Sequence, residues 1–272
     1  MLVSIYIPTK NRPELLRRAI KSCLDQTYKN IEVVVCSDGD CIMSSRVVDS
    51  FNSERIKFIP NLNGGGACKT RNLAILNSRG DYITGLDDDD YFESNRISDF
   101  VRIARIRSEK IFFSNYKFIS AGGDLKITKK RERINFEHIK NKNYIGNQVF
   151  IKREILLEIG LFDEKIPAWQ DFDLWFRLLS IHDSAYCINN SSYCVDLSHG
   201  HEQITKDPTK IIHAFDYFIY KHRQHLTRDN INKLLVSKYL NKSVALNFTD
   251  FNRLLMSGCF IDSLKLLYAR LS

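Results

Sequence analysis

GDYITGLDDDD, residues 80–90, joins a strand-like run to four consecutive aspartates. Asp81–Leu86 has the composition of a buried strand, and the aspartates stand where it ends. With side chains alternating along the strand end, Asp87 and Asp89 face one side and Asp88 and Asp90 the other. Two carboxylates about 4 Å apart repel by about 1 kcal/mol in water, and by several times that near a protein surface. No Lys or Arg lies between Gly80 and Arg96 to offset this. A hard divalent cation would, because Mg2+ and Mn2+ favour carboxylate and phosphate oxygens. The alternative is a solvated acidic turn.

Working outward, the residues before this stretch repeat one rhythm. Val3–Ile7 is β-branched and aromatic and stops at Pro8, and Asn11, Pro13 and Glu14 form a helix start with Asn11 as its capping side chain. Leu15, Leu16, Ala19, Ile20, Cys23 and Leu24 recur at helical spacing. Ile31–Cys36 is a second strand, a short helix passes through Val47 and Val48, and Arg55–Ile59 is a third strand. A turn at 63–66 and a helix over Ala67–Asn77 lead into the strand before the aspartates. Strand–helix alternation of this kind means right-handed βαβ units and a mainly parallel sheet. Ligands of such sheets gather at the carboxyl ends of the strands. Here those ends carry Pro8-Thr9-Lys10-Asn11, Ser37-Asp38-Gly39-Asp40 and the four aspartates, so one polar crevice collects them.

The later part is less regular. A helix over 96–109, strands at 111–120 and 148–151, and a short helix over 154–159 are expected. Residues 171–180 then form an amphipathic helix, followed by two short strands around Tyr186 and over Tyr193–Leu197. Beyond about residue 207 the pattern is helical, which divides the chain into a domain at 1–205 and a C-terminal helical region at 206–272. KITKKRER at 126–133 has five basic residues in eight and reads as an exposed loop or hairpin.

Composition narrows the class. At 272 residues, 44% hydrophobic and 26% charged, the chain suits a globular protein with one substantial core and a small appendage, and excludes a disordered or collagenous one. No stretch approaches the roughly 18 apolar residues of a membrane span, and MLVSIYIPTKNRP lacks the features of a signal peptide. The net charge of +8 favours anionic partners: nucleic acid, anionic lipid or phosphorylated substrates. Seven cysteines, odd in number and without a C-x-x-C pair, read as reduced small hydrophobes in a cytoplasmic compartment.

Several residues could carry chemistry. Asp38 could accept hydrogen bonds from a base or a ribose, or could simply make an Asx turn before Gly39. Arg71 could reach a nucleotide's base or phosphates through its planar donors, or could be a solvated helix arginine. The triple glycine at 64–66 is no phosphate loop, because Cys68 rather than Gly precedes Lys69-Thr70, and no G-x-G-x-x-G follows the first strand. Asp171 opens its helix, where the dipole favours the ionised form a general base needs; an N-cap or first-turn acid is the plainer reading. His199 and His201 could complete a metal shell or contact a diphosphate.

Together these stretches resemble the family 2 glycosyltransferases, inverting enzymes with the GT-A fold. The resemblance runs through SIYIPTKNR at 4–12, QTYKNIEVVVCSDG at 26–39, NGGGACKTRN at 63–72, GDYITGLDDDD at 80–90, GLFDE at 160–164 and WQDFDLWFRL at 169–178. It covers roughly residues 1–180. It implies an α/β, Rossmann-like, mainly parallel sheet flanked by helices, with the C-terminal helices as an extension. It further implies that Pro8, Thr9 and Asn11 line the nucleotide pocket and that Asp38 contacts the base or ribose. Arg71 is placed on the base or phosphates. The D-x-D motif becomes Asp87-Asp88-Asp89, with Asp87 and Asp88 on the nucleotide sugar and Asp89 on a Mn2+ or Mg2+ ion and the diphosphate. His199 and His201, beyond the matched stretches, are candidates for the same metal from their position alone. Asp171 becomes the general base, and Trp169 and Gln170 line the acceptor side. Two departures stand out: Ser37 replaces the first of the family's usual paired aspartates, and Gln170 replaces the glutamate before the base.

The implied activity is hexosyl transfer from a nucleotide-diphosphate sugar, a UDP-sugar by family frequency, to a hydroxyl of a glycan acceptor. A single metal-assisted displacement would form a β-glycosidic bond. Small size and the resemblance together imply an enzyme of bacterial surface-polysaccharide synthesis (O-antigen, capsule, lipopolysaccharide) that adds one residue. Positive charge without a membrane span suits a polyprenyl-diphosphate-linked acceptor at the inner face of the cytoplasmic membrane. The basic tract at 126–133 is then either a patch for anionic headgroups or a solvated loop. The rival readings are a sugar-nucleotide nucleotidyltransferase and a non-catalytic sugar-nucleotide-binding protein. A nucleic-acid-binding module leaves the four aspartates without a purpose.

Overall fold

The structure is a computed structural model describing residues 1–39, 41–198, 207–241, 243–257 and 266. The first half follows the βα rhythm: β1 (Val3–Thr9), α1 (Pro13–Leu24), β2 (Ile31–Asp38), α2 (Ile42–Asp49), β3 (Ile56–Asn61), α3 (Gly66–Leu76) and β4 (Tyr82–Gly85). These four strands are parallel and lie in the order β3-β2-β1-β4. There follow β5 (Tyr91–Phe92), α4 (Arg96–Ala104), β6 (Ile111–Ile119), β7 (Leu125–Ile127), β8 (Arg133–Asn135) and α5 (Phe136–Ile139). After them come β9 (Phe150–Lys152), α6 (Arg153–Glu158), α7 (Gln170–Leu179) and β10 (Ser184–Asp196). Short β9 pairs antiparallel with both β4 and β6, so β6 runs in the same direction as β4. The long β10 pairs parallel with β6, and β5 closes that edge.

Alternation along the strands assigns each residue to one of two cores. Ile5 and Ile7 of β1, with Val33 and Val35 of β2, pack with Leu16, Ala19 and Ile20 of α1 and with Phe100 of α4. Tyr6, Val34 and Cys36 face the opposite side, with Ala74 and Ile75 of α3 and Phe172, Trp175 and Phe176 of α7. Both faces are covered, which is why these strands read as unbroken apolar runs. Cys23, Cys36, Cys68 and Cys187 are buried as free thiols within these cores and Cys194 is buried outside them, whereas Cys41 is half-buried and Cys259 lies outside the described residues.

The C-terminal helices α8 (Pro208–His222), α9 (Arg228–Leu240) and α10 (Phe248–Met256) extend the second core. Phe218 of α8 stacks on Phe172 of α7 with ring centroids 4.6 Å apart, and its edge meets Trp169. Beneath the rings, Asp173 has no solvent exposure and accepts hydrogen bonds from Arg177 at 2.9 Å and His222 at 2.8 Å, with Lys221 also 2.8 Å away. Burial alone would raise its pKa, but these partners hold the carboxyl at about 2.

Two local expectations are corrected. Asn11 does not cap α1: Arg12 occupies that position without a side-chain bond, and Asn11 takes a left-handed φ of 52°. The two short strands expected after α7 are one, β10, whose pairing with β6 is irregular between Ile188 and Tyr193. The expected boundary near residue 205 falls outside the described residues.

Candidate active site

β1, β2 and β4 deliver their carboxyl ends to one crevice. At the end of β2, Asp38 is 8% exposed; its Oδ1 accepts the Gly66 N–H at 3.0 Å, and Lys10 Nζ lies 3.3 Å from its Oδ2. Gly64, Gly65 and Gly66 have φ values of 60°, 127° and 85°, a left-handed run that only glycine adopts without strain, and this run brings the first amide of α3 to Asp38. Asp38 thus bonds the first amide of α3; the Asx turn would involve residue 40, which lies outside the described residues. Pro8 is half-buried beside Cys36, Thr9 is buried, and Asn11 is exposed at the rim.

The four aspartates do not alternate as an extended strand would. β4 ends at Gly85, and Asp90 N–H donates to the Asp87 carbonyl, folding the segment into a turn. Asp88 and Asp89 consequently share one partner: Arg12 Nη1 lies 3.2 Å from the first and 2.9 Å from the second. Thr9 Oγ1 also donates to Asp88 at 2.7 Å, and burial lifts that carboxyl to about 6. Asp87 turns the other way, to Arg71 at 3.0 Å and Asn147 at 3.0 Å. Asp90, pushed well above the carboxylate range by burial and its neighbours, accepts the Asp196 N–H at 3.1 Å. The repulsion that no nearby basic residue offsets in sequence is therefore offset by guanidinium groups from the β1–α1 turn and from α3.

The first turn of α7 closes the far side. Arg71 Nη1 donates to Gln170 Oε1 at 2.8 Å while its Nη2 holds Asp87, and its guanidinium lies 5.4 Å from the centroid of Phe162. Next to Gln170, Asp171 Oδ1 is shut off from solvent with no hydrogen-bond partner. Burial pushes the Asp171 carboxyl up to about 7, against the pull of Arg71 and with added repulsion from Asp87. That reverses the expectation from its helix position: desolvation outweighs the dipole. Trp169 begins the helix with a left-handed φ of 58°, and its half-buried ring packs edge-on against Phe172, Phe215 and Phe218.

Other side chains in the crevice carry no sequence motif. Asn147 and Gln148 lie in the loop before β9, fixed by Trp175 Nε1 donating to the Gly146 carbonyl at 2.7 Å. Tyr6 hydroxyl donates to Gln148 Oε1 at 3.0 Å; a Cβ on Gly85 would lie 2.1 Å from that oxygen, so the approach requires glycine. Tyr193 hydroxyl accepts from Asp87 N–H and from Asn147. Among the described residues, the buried atoms without a hydrogen-bond partner include Arg71 Nε, Asn147 Oδ1 and Asp171 Oδ1, all around Asp87. Unsatisfied polar groups gathered in one place mark a site for a polar ligand.

The donor set suits a divalent cation only when the ligand helps. Asp89 offers a carboxylate 18% exposed at the crevice, but among the described residues no three His, Cys, Asp or Glu side chains converge on one point. Diphosphate oxygens and water would have to complete such a shell. His199 and His201 lie outside the described residues.

The architecture, a mixed α/β sheet flanked by helices, is that of the GT-A fold. The fold matches Staphylococcus aureus TarS (residues 1–349, in complex with UDP-GlcNAc) at a TM-score of 0.64 and 14% identity, covering 99% of this chain and 87% of that one. The chain belongs to glycosyl transferase family 2, whose family model matches residues 4–162. A protein of Escherichia coli K12 named as a colanic acid biosynthesis glycosyl transferase, WcaA, is 34% identical over 248 residues, 88% of this chain and 87% of that protein. The E. coli UDP-Glc:alpha-D-GlcNAc-diphosphoundecaprenol beta-1,3-glucosyltransferase WfaP is 32% identical over 187 residues, 66% of this chain and 70% of that one.

Proposed function

We propose that this protein is an inverting glycosyltransferase of surface-polysaccharide synthesis. It moves a sugar from a UDP-sugar to a hydroxyl of a glycan acceptor carried on a polyprenyl diphosphate, forming a β-glycosidic bond. The observation that carries this reading is the solvent-shielded Oδ1 of Asp171, which has no hydrogen-bond partner, beside Gln170, which Arg71 links to Asp87. WfaP, named for a UDP-glucose donor and a diphosphoundecaprenol acceptor, supports the choice of substrates. Family membership sets the nucleotidyltransferase reading aside.

Asp38 receives the base or ribose at the end of β2, flanked by Pro8, Thr9 and Asn11. Asp87 and Asp88 orient the ribose and diphosphate, and Arg71 offsets negative charge as the bond to the leaving group breaks. A divalent cation, Mn2+ or Mg2+, held by Asp89 and the diphosphate would neutralise charge on the departing nucleotide. Asp171 accepts the proton of the acceptor hydroxyl while that oxygen attacks the anomeric carbon from the face opposite the leaving group, and configuration inverts. Trp169 and Gln170 border the acceptor. Residues 1–205 form the transferase domain on this reading and residues 206–272 its helical extension, of which α8 packs on α7 through Phe218 and Phe172.

A panel of nucleotide sugars, incubated with and without Mn2+ and assayed for nucleoside diphosphate release, tests the reading. Release from a UDP-sugar, lost in Asp171→Asn while UDP binding persists, is the expected result. Release that ignores Asp171→Asn overturns the base assignment, and failure to bind any nucleotide sugar overturns the whole reading.

A further inference from the structure

The basic tract at 126–133 divides once folded. Lys130 turns inward: its Nζ donates to the Ile145 carbonyl at 2.5 Å and lies 3.3 Å from the centroid of the Tyr116 ring. Arg133 pairs with Glu109 at 2.6 Å. Lys126, Lys129 and Arg131 remain exposed, as do Asp124 and Glu132, which offset part of their charge. Beside them Leu125 and Ile127 are 58% and 54% exposed and share one face of β7. Two neighbouring large aliphatic side chains thus face water among cations, on a strand that buries neither of them.

Topology places this ribbon at the crevice. β6 runs parallel to β4, so its carboxyl end lies at the same sheet edge as the aspartates. β7 pairs with that end on the side of β6 away from β10, with Leu125 opposite Ile119. Ile119 is in turn the register partner of Asp196, whose N–H bonds Asp90. Two strand spacings, roughly 10 Å, therefore separate Leu125 from Asp196.

We propose that this ribbon, residues 125–131, docks on an anionic phospholipid surface, with Leu125 and Ile127 entering the headgroup layer and Lys126, Lys129 and Arg131 meeting lipid phosphates. The inference rests on the proposed function in one respect: an acceptor carried on a lipid diphosphate is presented at such a surface. Aliphatic side chains interleaved with cations favour a lipid interface over nucleic acid, where exposed aromatic stacking groups are the usual complement. A charged lysine within a short edge strand also discourages pairing with a second copy of the chain.

Co-sedimentation of the full chain with phosphatidylglycerol/phosphatidylethanolamine vesicles, against vesicles of phosphatidylcholine alone, provides the test. Binding to the anionic vesicles is expected, reduced at least tenfold by Leu125→Ser with Ile127→Ser, and likewise by Lys126→Glu with Lys129→Glu and Arg131→Glu. Both variants should melt with the wild type and release nucleoside diphosphate from the donor at its rate when no vesicles are present. The inference is overturned if the wild type ignores anionic vesicles, if both variants bind them undiminished, or if the substitutions abolish only self-association or RNA binding. Donor turnover without vesicle binding sinks this inference alone, whereas vesicle binding without any donor turnover sinks the proposed function instead.

Discussion

Arg71 Nη2 lies 3.0 Å from Asp87 Oδ1, and the same guanidinium reaches Gln170 of α7 at 2.8 Å. One buried side chain from α3 thereby couples the strand-end aspartates to the helix turn that carries Asp171. It supplies the charge that keeps Asp171 from rising further.

Arg71→Ala should cost more than its own contacts, because Asp87 and Asp171 are left facing each other without the guanidinium. The expected loss of stability is about 2–4 kcal/mol. The acid limb of kcat/KM should move to higher pH by about one unit. Arg71→Lys keeps the charge without the fork and should fall between the two. Thermal melts and pH–rate profiles of the three proteins check this.

Asp171 with a pKa of about 7 gives two signed expectations. As the general base it must be ionised, so kcat/KM should rise with pH and level off above about 7. A carboxyl raised in the folded state binds its proton more tightly there than in the unfolded chain, so its contribution to stability falls as pH rises from about 4 to about 7. Asp171→Asn should therefore be more stable than the wild type at pH 8, on the order of 4 kcal/mol, with little difference near pH 4. Equal stability at both pH values, from denaturant titrations, would contradict the raised pKa.

The clamp between α7 and α8 predicts a different kinetic signature. His222→Leu removes a donor from the fully buried Asp173 and should lower stability by about 1–3 kcal/mol. Because Asp173 is two residues beyond the base, kcat should fall while the donor KM stays within about twofold. His222→Gln, which keeps a donor, should recover most of kcat. A donor KM that rises in step with the loss of kcat would show that the clamp does not act through α7.

Most of the fold was legible because local pattern and tertiary environment agree. Ile5 and Ile7 alternate with Tyr6, strands alternate with helices, and the aspartates mark a strand end. What could not be read depends on residues far apart in the chain. Arg12 reads as part of a helix start, yet its side chain folds onto Asp88 and Asp89, 76 and 77 residues later. Asn147 and Gln148 belong to no motif, since only the packing of Tyr6, Trp175 and Gly85 brings them to the crevice. The helix position of Asp171 points to an ionised carboxylate, whereas burial raises it to about 7, because a helix N-terminus is visible in sequence and desolvation is not. Tyr193 was expected at the start of a short strand; only the continuous β10 shows it beneath Asp87.

Asp89→Ala should weaken Mn2+ binding in the presence of UDP by at least tenfold while leaving metal-free UDP binding within about threefold. Titration calorimetry reads both quantities. Removing metal from the wild type with a chelator should depress transfer to the level of this variant, and chelator-resistant turnover would contradict the assignment of Asp89.

The most direct test of the account is a single-turnover reaction with an α-linked UDP-sugar donor, a lipid diphosphate glycan acceptor and Mn2+, comparing wild type with Asp171→Asn. The account predicts a β-linked product from the wild type, and from Asp171→Asn a rate at least a thousandfold lower with the donor still bound. An α-linked product, or transfer by Asp171→Asn at the wild-type rate, would contradict it.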